Sequence, residues 1–206
     1  MKIIVWILAA VCGYLVGCAN LAIPLSRVIY HQDIRQLGSG NPGFTNFKRV
    51  FGGKYAWFVF AFDLLKGGAV CLVFGLRFRA LGFDFQLGAA FTGLFAMLGH
   101  SFPATFGFKG GKGFLVLLSE LFVIDWRAGL IAFLVMAALV LTLKYMSLAT
   151  MSGLALGAVC LFLFGAIVPA AVLYALCVAF MIWRHKENIR RLIKGTESKF
   201  SLSGRR

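Results

Sequence analysis

The stretch GHSFPATFGFKGGKG (residues 99–113) lies between two largely apolar runs, and its reading decides the fold. Its last seven residues hold four glycines and two lysines, with a histidine near its start. Of the 206 residues, 61% are hydrophobic and 14% charged, with a mean hydropathy of +0.89. Soluble domains run at roughly 45–50% apolar and 25% charged. The chain is therefore predicted to be an all-α integral membrane protein forming a single polytopic domain over 1–206. The quoted loop is then a polar break between two of its helices.

Working outward from that loop, runs long enough to cross a bilayer fall at about 3–23, 55–76, 85–103, 113–125, 127–146, 148–166 and 168–183. The fourth is short for a span. The first run reaches Asn20 rather than a small-residue cleavage site, which argues against a removed signal peptide. Seven alternating helices with the N-terminus outside place Arg27, Arg35, Lys48, Arg49, Lys54, Lys109, Lys112, Lys144 and every basic residue from Arg184 onward on the inner side. Lys2, Arg77, Arg79 and Arg127 fall outside, and Lys66 lies within a span. Sixteen inner cations against four outer ones satisfy the positive-inside rule. The C-terminus, with its basic tail 184–206, is thus expected in the cytoplasm.

The formal charge of +14 calls for anionic partners such as lipid headgroups or phosphorylated substrates. Nucleic acid is not expected, because the inner loops are too short for a soluble basic face. The five cysteines (Cys12, Cys18, Cys71, Cys160, Cys177) are scattered through apolar segments without CxxC or Cys/His spacing, so neither a disulfide nor a metal site is indicated. No metal and no organic cofactor is expected.

Four polar segments share the inner face: HQDIRQLGSGNPGFTNFKR (31–49), GFKGGKG (107–113), KYMSLAT (144–150) and RHKENIRRLIKGTE (184–197). Glycine-rich turns bring backbone amides close to a ligand and make anion-binding concavities. A helix starting after Gly113 adds its positive end. GFKGGKG does not fit the G-x-x-x-x-G-K-[ST] nucleotide loop, since Phe106 and Gly113 stand at two required positions. On residues alone it reads equally as a phosphate cradle or as an inter-helix turn. GSGNPGFTN (38–46) offers Ser39, Asn41, Thr45 and Asn46 as hydrogen-bonding groups, with Arg49 placed to clamp a phosphate. It reads equally as a plain connector. Asp63 and Lys66 lie three apart inside a span, where charges pair and face the bundle interior, in a structural or a catalytic role. His100 reads as a base or a donor. Position 105 is Thr, so no His-x4-Asp dyad forms. His185 and Asn188 mark either a site or a lipid-anchored tail.

In that order, DIRQLGSGNPGFTN…R, DLLKGG, GHSFPATFGFKGGKG, SLAT and RHKENIRRLIKGTE resemble the motifs of the bacterial acyl-phosphate-dependent glycerol-3-phosphate acyltransferases, the PlsY type, from about Ile23 to Phe200. The resemblance implies a multi-pass protein of the bacterial cytoplasmic (inner) membrane with its active site facing the cytoplasm. It implies acyl transfer from acyl phosphate, not acyl-CoA, to the sn-1 hydroxyl of glycerol 3-phosphate, giving lysophosphatidic acid and phosphate for phospholipid biosynthesis. It assigns acyl-phosphate binding to Phe108, Lys109, Gly110, Gly111, Lys112 and Gly113 through backbone amides. Catalytic contacts fall to Ser39, Arg49, Lys112, Ser147, His185 and Asn188. Asn41, Thr45, Asn46 and His100 shape the pocket. Membrane lipid is an expected partner, and functional coupling to the enzyme that makes acyl phosphate is implied.

Only seven carboxylates are present and none is an obvious base. Direct attack by the glycerol hydroxyl, with phosphate taking the proton, is therefore expected. The chain departs from the family's usual SGNIGATN at Pro42 and Phe44, from VAT at Phe114–Val116, and from GSIP at Ala22. Two alternatives accompany the enzyme reading: a diverged, weakly active member that binds phosphate ligands, and a transporter of phosphorylated solutes.

Overall fold

The computed structural model describes residues 2–201, and every regular element among them is helical. α1 (Lys2–Cys18) and α2 (Ala22–Tyr30) follow one another across a short break and together make one span-length stretch, and a polar loop leads to the short α3 (Phe44–Phe51). α4 (Tyr55–Ala80), α5 (Phe85–Ser101), α6 (Phe114–Ile124), α7 (Trp126–Leu143), α8 (Met146–Leu163) and α9 (Val168–Arg184) form the bundle. α10 (Lys186–Ile193) bends 58° away from α9.

Among the described residues, four stretches are long and apolar enough to cross a membrane: Lys2–Tyr30, Tyr55–Ala80, Trp126–Leu143 and Met146–Leu163. The bent pair α9–α10 makes a fifth if it counts as one span. The chain is an all-helical membrane protein. The expected run at 113–125 is an eleven-residue helix, which at 1.5 Å per residue rises about 16 Å, roughly half a hydrocarbon core. The expected run at 3–23 breaks at residues 19–21, where Asn20 Oδ1 accepts from the Ile23 amide at 3.1 Å. The run at 85–103 stops at Ser101, because the residue before Pro103 is driven out of the helical region.

α6 is short because it is enclosed. Leu117 and Leu121 are fully buried, and α4, α5, α7, α8 and α9 all pack on this helix. Leu65, Leu72, Leu134, Leu163 and Leu176 are exposed on the outer helices. So large an apolar surface suits contact with lipid. α1 crosses α5 at backbone contact: a Cβ on Gly17 would stand 2.2 Å from the Ala96 carbonyl, and one on Gly99 2.1 Å from that of Tyr14. Small residues of this kind let membrane helices approach where hydrophobicity alone offers no attraction.

One core contact is particular. The Glu120 carboxyl is fully buried with no hydrogen-bond partner for either oxygen. It occupies the notch left by Gly93, where an added Cβ would lie 2.1 Å from Glu120 Cδ. Gly93→Ala should therefore lower the thermal midpoint in detergent. In a Glu120→Ala background the same change should cost little, with a coupling of about 1–3 kcal/mol. Additive effects in that double-mutant cycle would rule the contact out.

Candidate functional site

The first polar loop is held by its own side chains. Asp33 accepts from the Arg35 amide at 3.0 Å and pairs with Arg27 and Arg35, each at 2.8 Å. The Arg35 guanidinium beside it, together with Arg27, holds the Asp33 carboxyl well below the usual carboxylate range despite some burial. Arg35 Nη1 also donates to the Phe106 carbonyl at 2.9 Å, fastening this loop to the glycine loop. Asn46, buried on α3, accepts from the Ser39 amide at 2.9 Å and donates to the Leu37 carbonyl at 2.9 Å. These bonds set Ser39 beside α3, one turn of which separates Thr45 from Arg49. Phe44 seats α3 on α4 through ring contacts with Trp57 and Phe60. The Asn20 amide donates to the Pro42 carbonyl at 2.9 Å.

The glycine loop is pinned from below. The Gly110 amide donates to the Ser101 carbonyl at 3.2 Å and the Gly111 amide to that of His100 at 3.0 Å. Neither is available to a ligand. Among the described residues the amides of Lys112 and Gly113 make no backbone hydrogen bond, and they sit at the start of α6, where unpaired amides and the helix dipole favour an anion.

These parts line a cavity of about 50 Å³. Ser39, Asn41, Thr45, Asn46, Arg49, His100, Lys112, Gly113, Ser147, His185 and Asn188 all line it. Phe108, Lys109, Gly110 and Gly111 do not. Phe108 and Lys109 are exposed, and Lys109 lines a separate groove with Arg27 and Arg35. Of the six residues expected to hold acyl phosphate, Lys112 and Gly113 line the cavity, whereas the amides of Gly110 and Gly111 fasten the loop to the end of α5.

A carboxylate overlooked in the sequence organises the far wall. Glu197 Oε1 accepts from Ser147 Oγ and Asn188 Nδ2, each at 2.7 Å, and Oε2 accepts from Arg191 Nε at 2.7 Å. Burial pushes the Glu197 carboxyl up, and the bonds from Asn188, Ser147 and Arg191 outweigh this and bring it below its ordinary value. Lys112 Nζ donates to Asn188 Oδ1, so Lys112, Asn188, Glu197 and Ser147 form one chain. The only sequence signal was a Glu in a basic segment, nine residues past Asn188. Asp63, Phe44, Phe114, Leu115, Met146 and Thr150 also line the cavity without having been expected there. Asp63 pairs with Lys66 at 2.8 Å, and Lys66 Nζ stands 3.1 Å from His100 Nδ1. An ammonium only donates, so Nδ1 of His100 accepts. Lys66 also donates to the carbonyls of Gly17 and Ala19. The pair is therefore a fastening for α1 as well as a floor for the cavity.

Burial lowers Lys112 to about 8, reinforced by the nearby charge of Arg191. Beyond α9, burial and then the Lys112 charge bring His185 down to about 4. Its Nδ1 lies 2.9 Å from the Met181 carbonyl, so the neutral ring donates there and leaves Nε2 as an acceptor. The free protein loses the Lys112 cation as pH rises through about 8. Phosphate affinity, and kcat/KM for any phosphate-bearing substrate, should fall above that pH. Lys112→Arg should move that limb upward, and a flat profile from pH 7 to 10 would contradict the assignment.

The chain matches the family model described as "Glycerol-3-phosphate acyltransferase" over residues 7–195. A glycerol-3-phosphate acyltransferase of Aquifex aeolicus is 39% identical over 190 residues, covering 91% of this chain and 95% of the relative. The crystal structure of PlsY, an integral membrane glycerol 3-phosphate acyltransferase in its glycerol 3-phosphate form, superposes with a TM-score of 0.87 at 34% identity, covering 95% of this chain and 96% of that one. Its lysophosphatidic acid form superposes at 0.83 and 32% identity, covering 97% of each. The chain belongs to the glycerol-3-phosphate acyltransferase family.

Proposed function

We propose that the protein transfers a fatty acyl group from acyl phosphate to the sn-1 hydroxyl of glycerol 3-phosphate, giving lysophosphatidic acid and phosphate for phospholipid synthesis. The carrying observation is convergence. Ser39 and Arg49, Lys112, Ser147, and His185 with Asn188 come from four separate segments and meet at one cavity at the head of α6. Lys112 and the free amides of Lys112 and Gly113 take the donor phosphate. Arg49 and Ser39 take the phosphate of glycerol 3-phosphate, and His185 Nε2 and Ser147 orient its hydroxyls. Asn41, Thr45, Asn46 and His100 set the cavity's shape. The hydroxyl oxygen bonds to the acyl carbon, the bond from that carbon to the phosphate oxygen breaks, and phosphate leaves carrying the hydroxyl proton. His185 at about 4 is a weaker base than a phosphate monoester, whose second proton titrates near 6, and free phosphate is more basic still. Positioning and charge neutralisation supply the rest.

In this reading α1 and α4 to α9 make seven crossings of a single domain, 1–206. The N-terminus is outside, and the cavity and basic tail face the cytoplasm at the inner membrane, where the enzyme making acyl phosphate delivers its product. The sixteen-to-four split of cations supports that orientation. Protein in lipid bilayers, given palmitoyl phosphate and labelled glycerol 3-phosphate, should release lysophosphatidic acid and one phosphate per turnover. Palmitoyl-CoA should give none. Ligand binding without product would favour a diverged phosphate-binding member, and vesicle uptake without product would favour a transporter. Acyl-protein trapped on Ser147 or a cysteine would overturn the direct-attack step.

A further inference from the structure

Arg184, the last residue of α9, makes contacts that the proposed chemistry does not use. Its Nη2 lies 3.3 Å from the Gly110 carbonyl and 3.1 Å from that of Gly111. Its guanidinium carbon stands 5.2 Å from the Phe102 ring centre, and its Nε is buried without a partner. A trans peptide points its C=O and N–H in opposite directions, and none here is cis. Drawing the Gly111 carbonyl toward Arg184 therefore turns the Lys112 amide away from it. Lys112 and Gly113 line the cavity and Arg184 does not, so the side away from Arg184 is the cavity side. We infer that Arg184 is a positioning residue for the donor phosphate: it holds two carbonyls back so that the Lys112 amide faces the anion. A planar guanidinium suits this task because one nitrogen bonds both carbonyls while the ring face of Phe102 fixes its plane. The same contact keeps two carbonyl oxygens, which would repel a phosphate, out of the cavity.

The inference rests on the reading that the donor phosphate sits at Lys112, and the test separates the two. The probe is a non-reacting palmitoyl phosphonate, in which a methylene replaces the bridging oxygen, titrated into the full chain in nanodiscs. Glycerol 3-phosphate is titrated separately. Arg184→Ala should weaken phosphonate binding about tenfold, the scale of one lost charge-assisted hydrogen bond, and leave glycerol 3-phosphate within about twofold. Added methylguanidinium should restore part of the loss, and Arg184→Lys should fall between. Unchanged phosphonate binding in Arg184→Ala, with binding lost in Lys112→Ala, overturns the role of Arg184 and leaves the phosphate site standing. Unchanged binding in both variants overturns the site itself. Equal losses for both ligands without guanidinium rescue reduce Arg184 to a structural residue. If Arg184→Ala does not fold, Arg184→Gln carries the same comparison under the same criteria.

Discussion

Lys112→Ala is expected to cut turnover by about two to three orders of magnitude, the cost of removing a donor aimed at developing charge, without unfolding the protein. Among the described residues Lys112 is the only lysine on the cavity wall, and the amides of Lys112 and Gly113 lie at the head of α6 beside it. Its ammonium sits among cations: Arg191, Arg184 and Arg49 all bear on it electrostatically, and burial already works against its charge. Deleting a desolvated cation from such a cluster relieves repulsion, so the thermal midpoint should hold or rise while activity collapses. A steady-state assay and a detergent melting curve on the same preparation check both halves. An active Lys112→Ala would place the donor phosphate elsewhere.

Gly111→Ala should be nearly as damaging to activity, by about a hundredfold or more, through a different route. An added Cβ at Gly111 would stand 2.2 Å from His100 Nε2, and one at Gly110 would stand 2.1 Å from the His100 carbonyl. Neither glycine has a positive φ, so backbone conformation is no obstacle and space alone is at issue. The His100 ring cannot step aside easily, because its Nδ1 is held by Lys66. The loop must lift off α5 instead, giving up the two amide bonds that seat it. Unlike Lys112→Ala, this substitution should also lower the thermal midpoint, by about 1–3 kcal/mol of overpacking. A fully active Gly111→Ala would show that the seat of the loop on α5 does not matter to the site.

Much of this was legible because membrane insertion writes itself into composition. Long apolar runs and the sign of the loops gave the helices, and the four polar segments were expected on one face. They do meet at one cavity. What escaped was whatever depends on which way a peptide unit turns. Glycines at 110 and 111 announce close approach, but not whether a ligand or a neighbouring helix approaches. Here it is α5. Glu197 escaped because a carboxylate in a basic tail reads as a solvated charge, and only the fold brings it against Ser147, fifty residues away. That α6 is sheathed by five other helices also escaped, because apolar content does not separate such a helix from one bathed in lipid.

The segment after α10 closes the far side of the cavity. Glu197 and Ser198 line it, the Phe200 amide donates to the Lys144 carbonyl, and the Phe200 ring lies 5.9 Å from that of Phe44. These residues leave the ribosome after α1 to α10. A chain still being threaded into the bilayer holds Ser39, Arg49 and Lys112 but no anchored Ser147 or Asn188. If those residues act as proposed, the site is incomplete until the tail folds back onto α8. On the proposed mechanism, assembly itself would then act as the safeguard, keeping a half-inserted chain from drawing on the pool of activated fatty acid.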